Sequence, residues 1–492
     1  CVRVRVRVCV WACVSVCLCA CVVLSMAKTR ASPRATSTYF HEAADGVRRK
    51  LRCSTSFGLA CLLSASSSGW KAAAAEGVQG SYPLIPNGME AVEEAFVVGD
   101  LHADLHCARH WVKRSGMVDL DATPYRWIGR ENQALIFLGD YVDKGSEGRA
   151  VLTFVKSLTE AFPDRVAALL GNHDLYMLFD ALFKDGASQL MGIPVRYFSY
   201  AFTHPEEYLN WINTTDQEKE SVLTPLFQAL DFVYQRHAEG KVLLSSFGHT
   251  VDLFSSVPPF SNDPALATKT KETLEDWHYQ LSKGLIDTGL AQWLASRPLF
   301  ATVGGALLLH GGLPPKLVRS LGEAKQGIGH GLNRVSESLR DALLKATAPR
   351  SLEGDLTRLL GDPLYSELVH EGVTYRGLHK KCSEVQDILN LMKSEISLDL
   401  IVLGHTPGDE LRSTCQSRLV ASDSSLSRSF RAHGNLYCPT AGAPWAALQG
   451  ECASQPVHSQ CEGQAGRLRR SATGRWQMEA VNPQADPKKD EL

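Results

Sequence analysis

The chain has 492 residues, enough for a large buried core and for more than one domain. A formal net charge of −2 provides no bulk attraction to nucleic acid or to an anionic membrane, so nucleic acid is not an expected partner. None of the 14 cysteines forms a CxxC pair, which argues against a cysteine-based zinc site.

Arg3, Arg5 and Arg7 precede an uncharged run from Val8 to Ala27 that is rich in Cys and Val. A basic stretch before an apolar run reads as a signal peptide over residues 1–25, or as a membrane anchor if it stays uncleaved. An alternating edge strand over Val2 to Val8 is the competing reading. Residues 26–82 are rich in Arg, Ser and Ala and poor in acids, which describes a transit-like or disordered leader. A second signal peptide beginning at Arg48 is a further reading of the same stretch.

The globular part is expected over 83–443. Phe96-Val97-Val98 is a short apolar strand leading into Gly99-Asp100-Leu101-His102-Ala103-Asp104. Leu105 to Met117 follows as a helix ended by Ser115-Gly116, with His106 and His110 as ordinary helix residues. Ala134 to Leu138 is the next strand, running into Gly139-Asp140-Tyr141-Val142-Asp143-Lys144-Gly145. Gly148 to Phe162 has a helical apolar face. Val166 to Leu170 is a strand leading into Gly171-Asn172-His173-Asp174. This βα rhythm predicts an α/β core.

Residues 175–298 read as a mainly helical, aromatic-rich insertion that includes helices near Val222 to Ala238 and Lys271 to Gly284. Leu307 to Leu309 leads into His310-Gly311-Gly312. Val385 to Ser397 is an amphipathic helix, and Leu400 to Leu403 leads into Gly404-His405-Thr406. Gly248-His249-Thr250 copies the last motif, but His405 follows a more apolar strand and comes after His310. Val373-Thr374-Tyr375-Arg376-Gly377 sets an arginine beside glycine, and Arg418 to Asp423 reads as a closing strand. Residues 444–492 read as a flexible tail; in an oxidising lumen its Cys452 and Cys461, with Cys438 just before it, can pair in ways that sequence does not specify. The tail ends Lys489-Asp490-Glu491-Leu492, a retention signal read by the KDEL receptor. The endoplasmic-reticulum lumen is therefore the expected location, with a plastid as the alternative.

Five strands thus end in oxygen or imidazole donors, mostly beside glycine. Asp100, His102, Asp140, Asn172, His310 and His405 form a mixed O/N set without thiolates, suited to Mn, Fe or Zn. One carboxylate, Asp140, can bridge two ions about 3.5–4 Å apart, which would hold a hydroxide for in-line attack on phosphorus. His173 can protonate the leaving oxygen if Asp143 orients it. Lys144 and Arg376 can neutralise the phosphate oxygens.

The ordered set GDLHAD, GDYVDKG, GNHD, HGG and GHT resembles the PPP branch of the calcineurin-like metallophosphoesterases, and within it the Shewanella-like protein phosphatases. The resemblance spans roughly Glu90 to Ser425. It implies a two-sheet β-sandwich flanked by helices, with the site at strand ends. It also implies two divalent or trivalent metal ions: Asp100, His102 and Asp140 on the first, Asp140, Asn172, His310 and His405 on the second. His173 and Asp143 match the family's acid dyad, Arg376 its phosphate-binding arginine, and Asn172 also faces phosphate. Two positions depart from the pattern. Ala103 stands where glycine is usual. Lys144 stands where arginine is usual, keeping the charge but losing the planar two-pronged grip.

The expected activity is hydrolysis of phosphomonoesters on a phosphoprotein or phosphopeptide, at Ser/Thr or Tyr. A dinucleoside polyphosphate hydrolase and a non-catalytic binding module are the alternatives. The sequence names no regulatory subunit.

Overall fold

A computed structural model describes residues 91–183, 189–190, 193–194, 203–212, 215, 218–227, 260–322, 328–347, 353–393, 398–428 and 460–484. Contacts divide the chain into Cys1–Gly80 and Ser81–Leu492, and every described residue lies in the second unit. The signal, anchor and leader readings, the Gly248-His249-Thr250 copy and the terminal tetrapeptide lie outside the described residues. Among the described residues, no helix is long and apolar enough to cross a membrane.

Two five-stranded sheets form the centre. The first contains β1 (Glu94–Val98), β2 (Gln133–Phe137) and β3 (Val166–Ala168), paired in parallel. The second contains β4 (Phe300–Val303), β5 (Ala306–Leu309), β6 (Leu400–Leu403), β7 (Arg412–Thr414) and β8 (Leu419–Ala421). β6 runs parallel to both β5 and β8, while β4 and β7 close the two edges antiparallel.

Successive side chains on a strand point to opposite faces, and here both faces are buried. Ala95, Val97, Ala134, Ile136 and Leu138 meet Ala301, Val303, Leu308, Val402 and Val420 between the sheets. Phe96, Val98, Leu135 and Phe137 face outward into the helical layer. That layer includes α1 (Leu105–Ser115), α2 (Gly148–Ala161) and α3 (Asn172–Leu182), whose buried faces contribute Trp111, Leu152, Val155 and Phe179. Small residues between the sheets and large ones under the helices produce the sandwich flanked by helices that the motifs implied.

Within the predicted insertion, the described parts are largely helical. They include a 3₁₀ turn at Pro205–Asn210, a helix over 218–227, α4 (Pro264–Asp287) and α5 (Leu290–Ala295). Trp277 and Leu281 of α4 are fully buried.

The expectation of a flexible tail after residue 443 is corrected for residues 460–484. β9 (Ala465–Arg470) pairs antiparallel with β1, and β10 (Trp476–Val481) pairs with β9, so this hairpin completes the first sheet. An edge hairpin needs few apolar residues. Here Leu468 and Trp476 are buried, while Arg469 pairs with Glu479 at 2.7 Å on the outside. The stretch therefore reads as polar.

The cysteine reading is also corrected. Cys461 pairs with Cys107 of α1 rather than with a cysteine of the tail, and Cys382 pairs with Cys415. Spacing along the chain carries no signal for partners brought together only by the sheet.

Candidate metal centre

The C-terminal ends of β1, β2, β3, β5 and β6 lie on one edge of the sandwich, and each turns sharply into its motif. Left-handed backbone is needed at His102 (φ 41°), Asp140 (54°), Asp143 (66°), Lys144 (69°) and His405 (61°). Such conformations cost roughly 1–3 kcal/mol each for non-glycine residues and persist only where surrounding structure holds them. The hold is visible in the backbone. Leu101 and His102 both donate their N–H to Asp140 O, and Ala103 donates to Tyr141 O. Gly139 (φ 105°) and Gly171 face each other. A methyl group at Gly139 would sit 2.4 Å from Gly171 N, so only glycine lets these two turns touch.

The predicted ligands meet. Asp100, His102 and Asp140 form one group whose donor atoms lie within 4.8 Å of one another, and Asp140, His310 and His405 form a second. All five residues are buried, and Asp140 belongs to both groups. Its Oδ1 is 3.2 Å from His310 Nε2, and its Oδ2 is 3.8 Å from His102 Nε2. Asn172 Oδ1 lies 2.9 Å from His310 Nε2, joining the second group. His310 Nδ1 is 2.9 Å from Leu138 O, and His102 Nδ1 is 3.2 Å from Val142 O. When each Nδ1 donates to its carbonyl, the Nε2 lone pair is turned into the centre, the arrangement a metal-binding imidazole needs. His405 donates its backbone N–H to both Asp100 oxygens, at 3.2 and 3.1 Å. The His310 and His405 contacts stitch the second sheet to the first.

The electrostatics fit a site for cations. Burial holds His102 down to about 3 and His405 down to about 2, so both imidazoles are neutral and available as ligands. Burial opposes charge on Asp140, yet His310, His173 and His102 hold its carboxyl well below the usual carboxylate range. Burial, reinforced by Asp423, pushes Asp100 up. At His310 burial opposes the positive charge, but the Asp140 and Asp100 carboxylates prevail and raise it to about 10. A centre that draws a proton this strongly is one in which metal cations can satisfy the same carboxylates. The mixed oxygen and imidazole donors suit Mn, Fe or Zn.

Beside the ligands, His173 Nδ1 hydrogen-bonds Asp143 Oδ2 at 2.7 Å, while His173 Nε2 lies 4.0 Å from Asp140 Oδ2. Lys144 is buried, and burial lowers its ammonium to about 8 against the attraction of Asp143 and Asp140, with Arg376 lowering it further. Arg376 is exposed and close enough to bear on both Lys144 and His405. Its loop approaches because Gly311 has no side chain. A Cβ there would stand 2.4 Å from Gly372 O. Every predicted site residue thus lies in or beside one cluster. His110, expected to be an ordinary helix residue, lies apart from it, with its Nε2 3.0 Å from Pro483 O.

Four supporting residues escaped sequence reasoning as contributors. Asp174 accepts N–H from Asp140 and Tyr141 at 2.8 Å and from Gly171 at 2.9 Å, fixing two ligand turns with one carboxylate. Thr203, from the insertion, donates to Asp143 Oδ1 at 2.8 Å. Asp423, buried at the end of β8, hydrogen-bonds Asp100, and burial raises its carboxyl to about 6. Asp104 caps α1 through Cys107 N and pairs with Arg428 at 2.9 Å. Asp104 and Asp174 sit within the motifs and were visible there. Thr203 and Asp423 carry no local signal.

Residues 95–239 match the family model described as calcineurin-like phosphoesterase. Serine/threonine-protein phosphatase 7 of Arabidopsis thaliana is 33% identical over 86 residues, 18% of each chain. The symmetrical bis(5'-nucleosyl)-tetraphosphatase of Proteus mirabilis is 30% identical over 140 residues, 26% of this chain and 42% of that one. These matches span less than half the length of either relative. Among solved structures, the cold-active protein-tyrosine phosphatase of a psychrophilic Shewanella species aligns over 79% of this chain and 80% of its own, with 16% identity and a TM-score of 0.39.

Proposed function

Since the chain carries a calcineurin-like metallophosphoesterase domain, we propose that it is a metal-dependent phosphoprotein phosphatase acting on phosphomonoesters of Ser/Thr or Tyr. The observation that carries this reading is the single buried carboxylate of Asp140 shared by two ligand groups, with an acid pair beside it. The chemistry such a pair of cations would supply is a bound water acidic enough to act as nucleophile near neutral pH, together with neutralisation of phosphate charge. Asp100 and His102 would hold the first cation, Asn172, His310 and His405 the second, and Asp140 would serve both.

The remaining work belongs to the side chains. Asp143, fixed by Thr203, keeps His173 in one orientation, with Nε2 toward the centre and able to give its proton to the departing oxygen. Lys144 and Arg376 place positive charge where the phosphoryl oxygens gather, one from a buried position and one from the solvent side. Asn172 can turn its amide toward the same oxygens.

The test is phosphate release from a phosphopeptide panel by purified chain with manganese, iron or zinc, set against Asp140→Asn. Turnover that depends on metal and vanishes in the variant is expected. No turnover with any of the metals would leave a non-catalytic binding module. The similarity to a tetraphosphatase keeps one rival reading. Faster cleavage of diadenosine tetraphosphate than of every phosphopeptide would establish it.

We also propose the endoplasmic-reticulum lumen as the location, which the two disulfides support because such bonds persist in oxidising compartments. A tagged full-length chain should co-fractionate with lumenal markers; co-fractionation with plastid markers overturns this.

A further inference from the structure

A cavity of about 420 Å³ opens at the end of the sandwich away from the metal centre. Leu398 and Asp399, just before β6, form part of its wall, whereas His405 follows the other end of that strand. At about 3.3 Å per residue the two places are separated by roughly 15–20 Å.

Three separate stretches bring a cation to this cavity. Lys393 comes from the end of α6 (Cys382–Met392), Arg418 from the turn before β8, and Arg475 from the turn joining β9 to β10. No ion pair engages any of the three side chains among the described residues. Among the described residues the one carboxylate in the lining, Asp399, is engaged through Oδ2, which accepts the Trp476 N–H at 2.9 Å. Hydroxyl groups of Ser417, Ser471 and Thr473 add to the polar wall, those of Ser471 and Thr473 bonded to each other at 2.8 Å. The walls are also held in place. Cys382–Cys415 ties α6 to the turn that carries Ser417, and that turn has three consecutive left-handed residues, Cys415 (φ 56°), Gln416 (58°) and Ser417 (63°). Residues are kept in such conformations only where the surroundings over-determine them.

Charge without an ion-pair partner among the described residues, on three converging elements and beside hydroxyl groups in a preformed hollow, is the chemistry of an anion site. Guanidinium groups suit the planar, two-pronged hold on phosphate oxygens, and the volume falls in the range of small-molecule sites. We propose that this cavity is a second, non-catalytic site for a phosphate-bearing ligand, remote from the metal centre. Free phosphate and a phosphorylated side chain share that chemistry. The inference stands whether or not the proposed phosphatase reading holds, because it is tested by binding.

The full chain, stripped of metal with chelator, is titrated calorimetrically with inorganic phosphate and separately with a phosphoserine peptide. At least one probe is expected to bind, with affinity at least tenfold weaker in Arg418→Gln/Arg475→Gln and unchanged in Arg376→Gln. Both arginines are at least partly exposed, so the double variant should keep its thermal midpoint, and Arg418→Lys/Arg475→Lys should recover part of the affinity. The probe that binds more tightly identifies the source. Equal affinity in the double glutamine variant overturns the proposal, as does loss only in Arg376→Gln, or binding of neither probe at millimolar concentration.

Discussion

Lys144 is where the chain departs from the motif it resembles, at a position proposed to meet the phosphate. A buried ammonium lowered to about 8 is charged at pH 7 and progressively neutral above that value. The sign is fixed: raising pH through about 8 removes the cation, so phosphoester affinity should fall and KM should rise. Lys144→Arg should abolish that rise, because guanidinium stays protonated, and should lower KM at pH 7 through its forked geometry. Parallel pH profiles in both proteins would remove residue 144 from substrate binding. Ala103, the other departure, is left-handed (φ 55°) and buried, with its N–H tied to Tyr141 O. The turn is therefore formed at some conformational cost and is not lost. The candidate ligands were legible because each stands shortly after an apolar strand, often beside a glycine, so local sequence already specified the turn. Asp423 was not legible, since its relation to Asp100 exists only once β8 lies beside β6.

Helix α2 shows how one element depends on a distant stretch. Its first-turn amides, Gly148 N and Arg149 N, have no cap from Glu147, which makes no side-chain cap bond. Both instead donate to Glu207 at 2.9 Å, and Glu207 also accepts from Trp211 Nε1 at 3.0 Å and Asn210 Nδ2 at 2.8 Å. Burial still pushes this carboxyl up to about 7. The insertion therefore supplies the cap for the helix that follows Asp143 and Lys144. Glu207→Ala leaves Gly148 N and Trp211 Nε1 buried without this acceptor and should cost about 2–3 kcal/mol in chemical denaturation. A loss below about 0.5 kcal/mol would show that the cap is replaceable. The helices themselves follow from apolar periodicity. Val151, Leu152, Val155 and Leu158 all face the core as their spacing predicts. The cap lies some sixty positions away, beyond any window in which periodicity can be read.

At the scale of the whole molecule, the hairpin β9–β10 closes the first sheet. Leu468 and Trp476 join the layer between the sheets, and Cys107–Cys461 fastens the approach to it. A chain ending at residue 443 should expose the free edge of β1 and lose solubility, read as the soluble fraction on expression against the full chain. An equally soluble and stable truncated protein would make the hairpin an accessory. The α/β core was legible from five repeats of one strand-then-turn design. The hairpin was not, because an edge pair with charged outer residues looks like a solvated segment until its partner strand is known. Its position bears on how the protein is made. Glu94 in β1 meets Arg467 in β9 across 373 positions. At ordinary elongation rates of about 5–20 residues per second, β1 would leave the ribosome roughly 20–75 seconds before its neighbour does. Through that interval the nascent sheet has an open border, so an attendant chaperone, or slow codons late in the message, would decide how many copies reach the finished form.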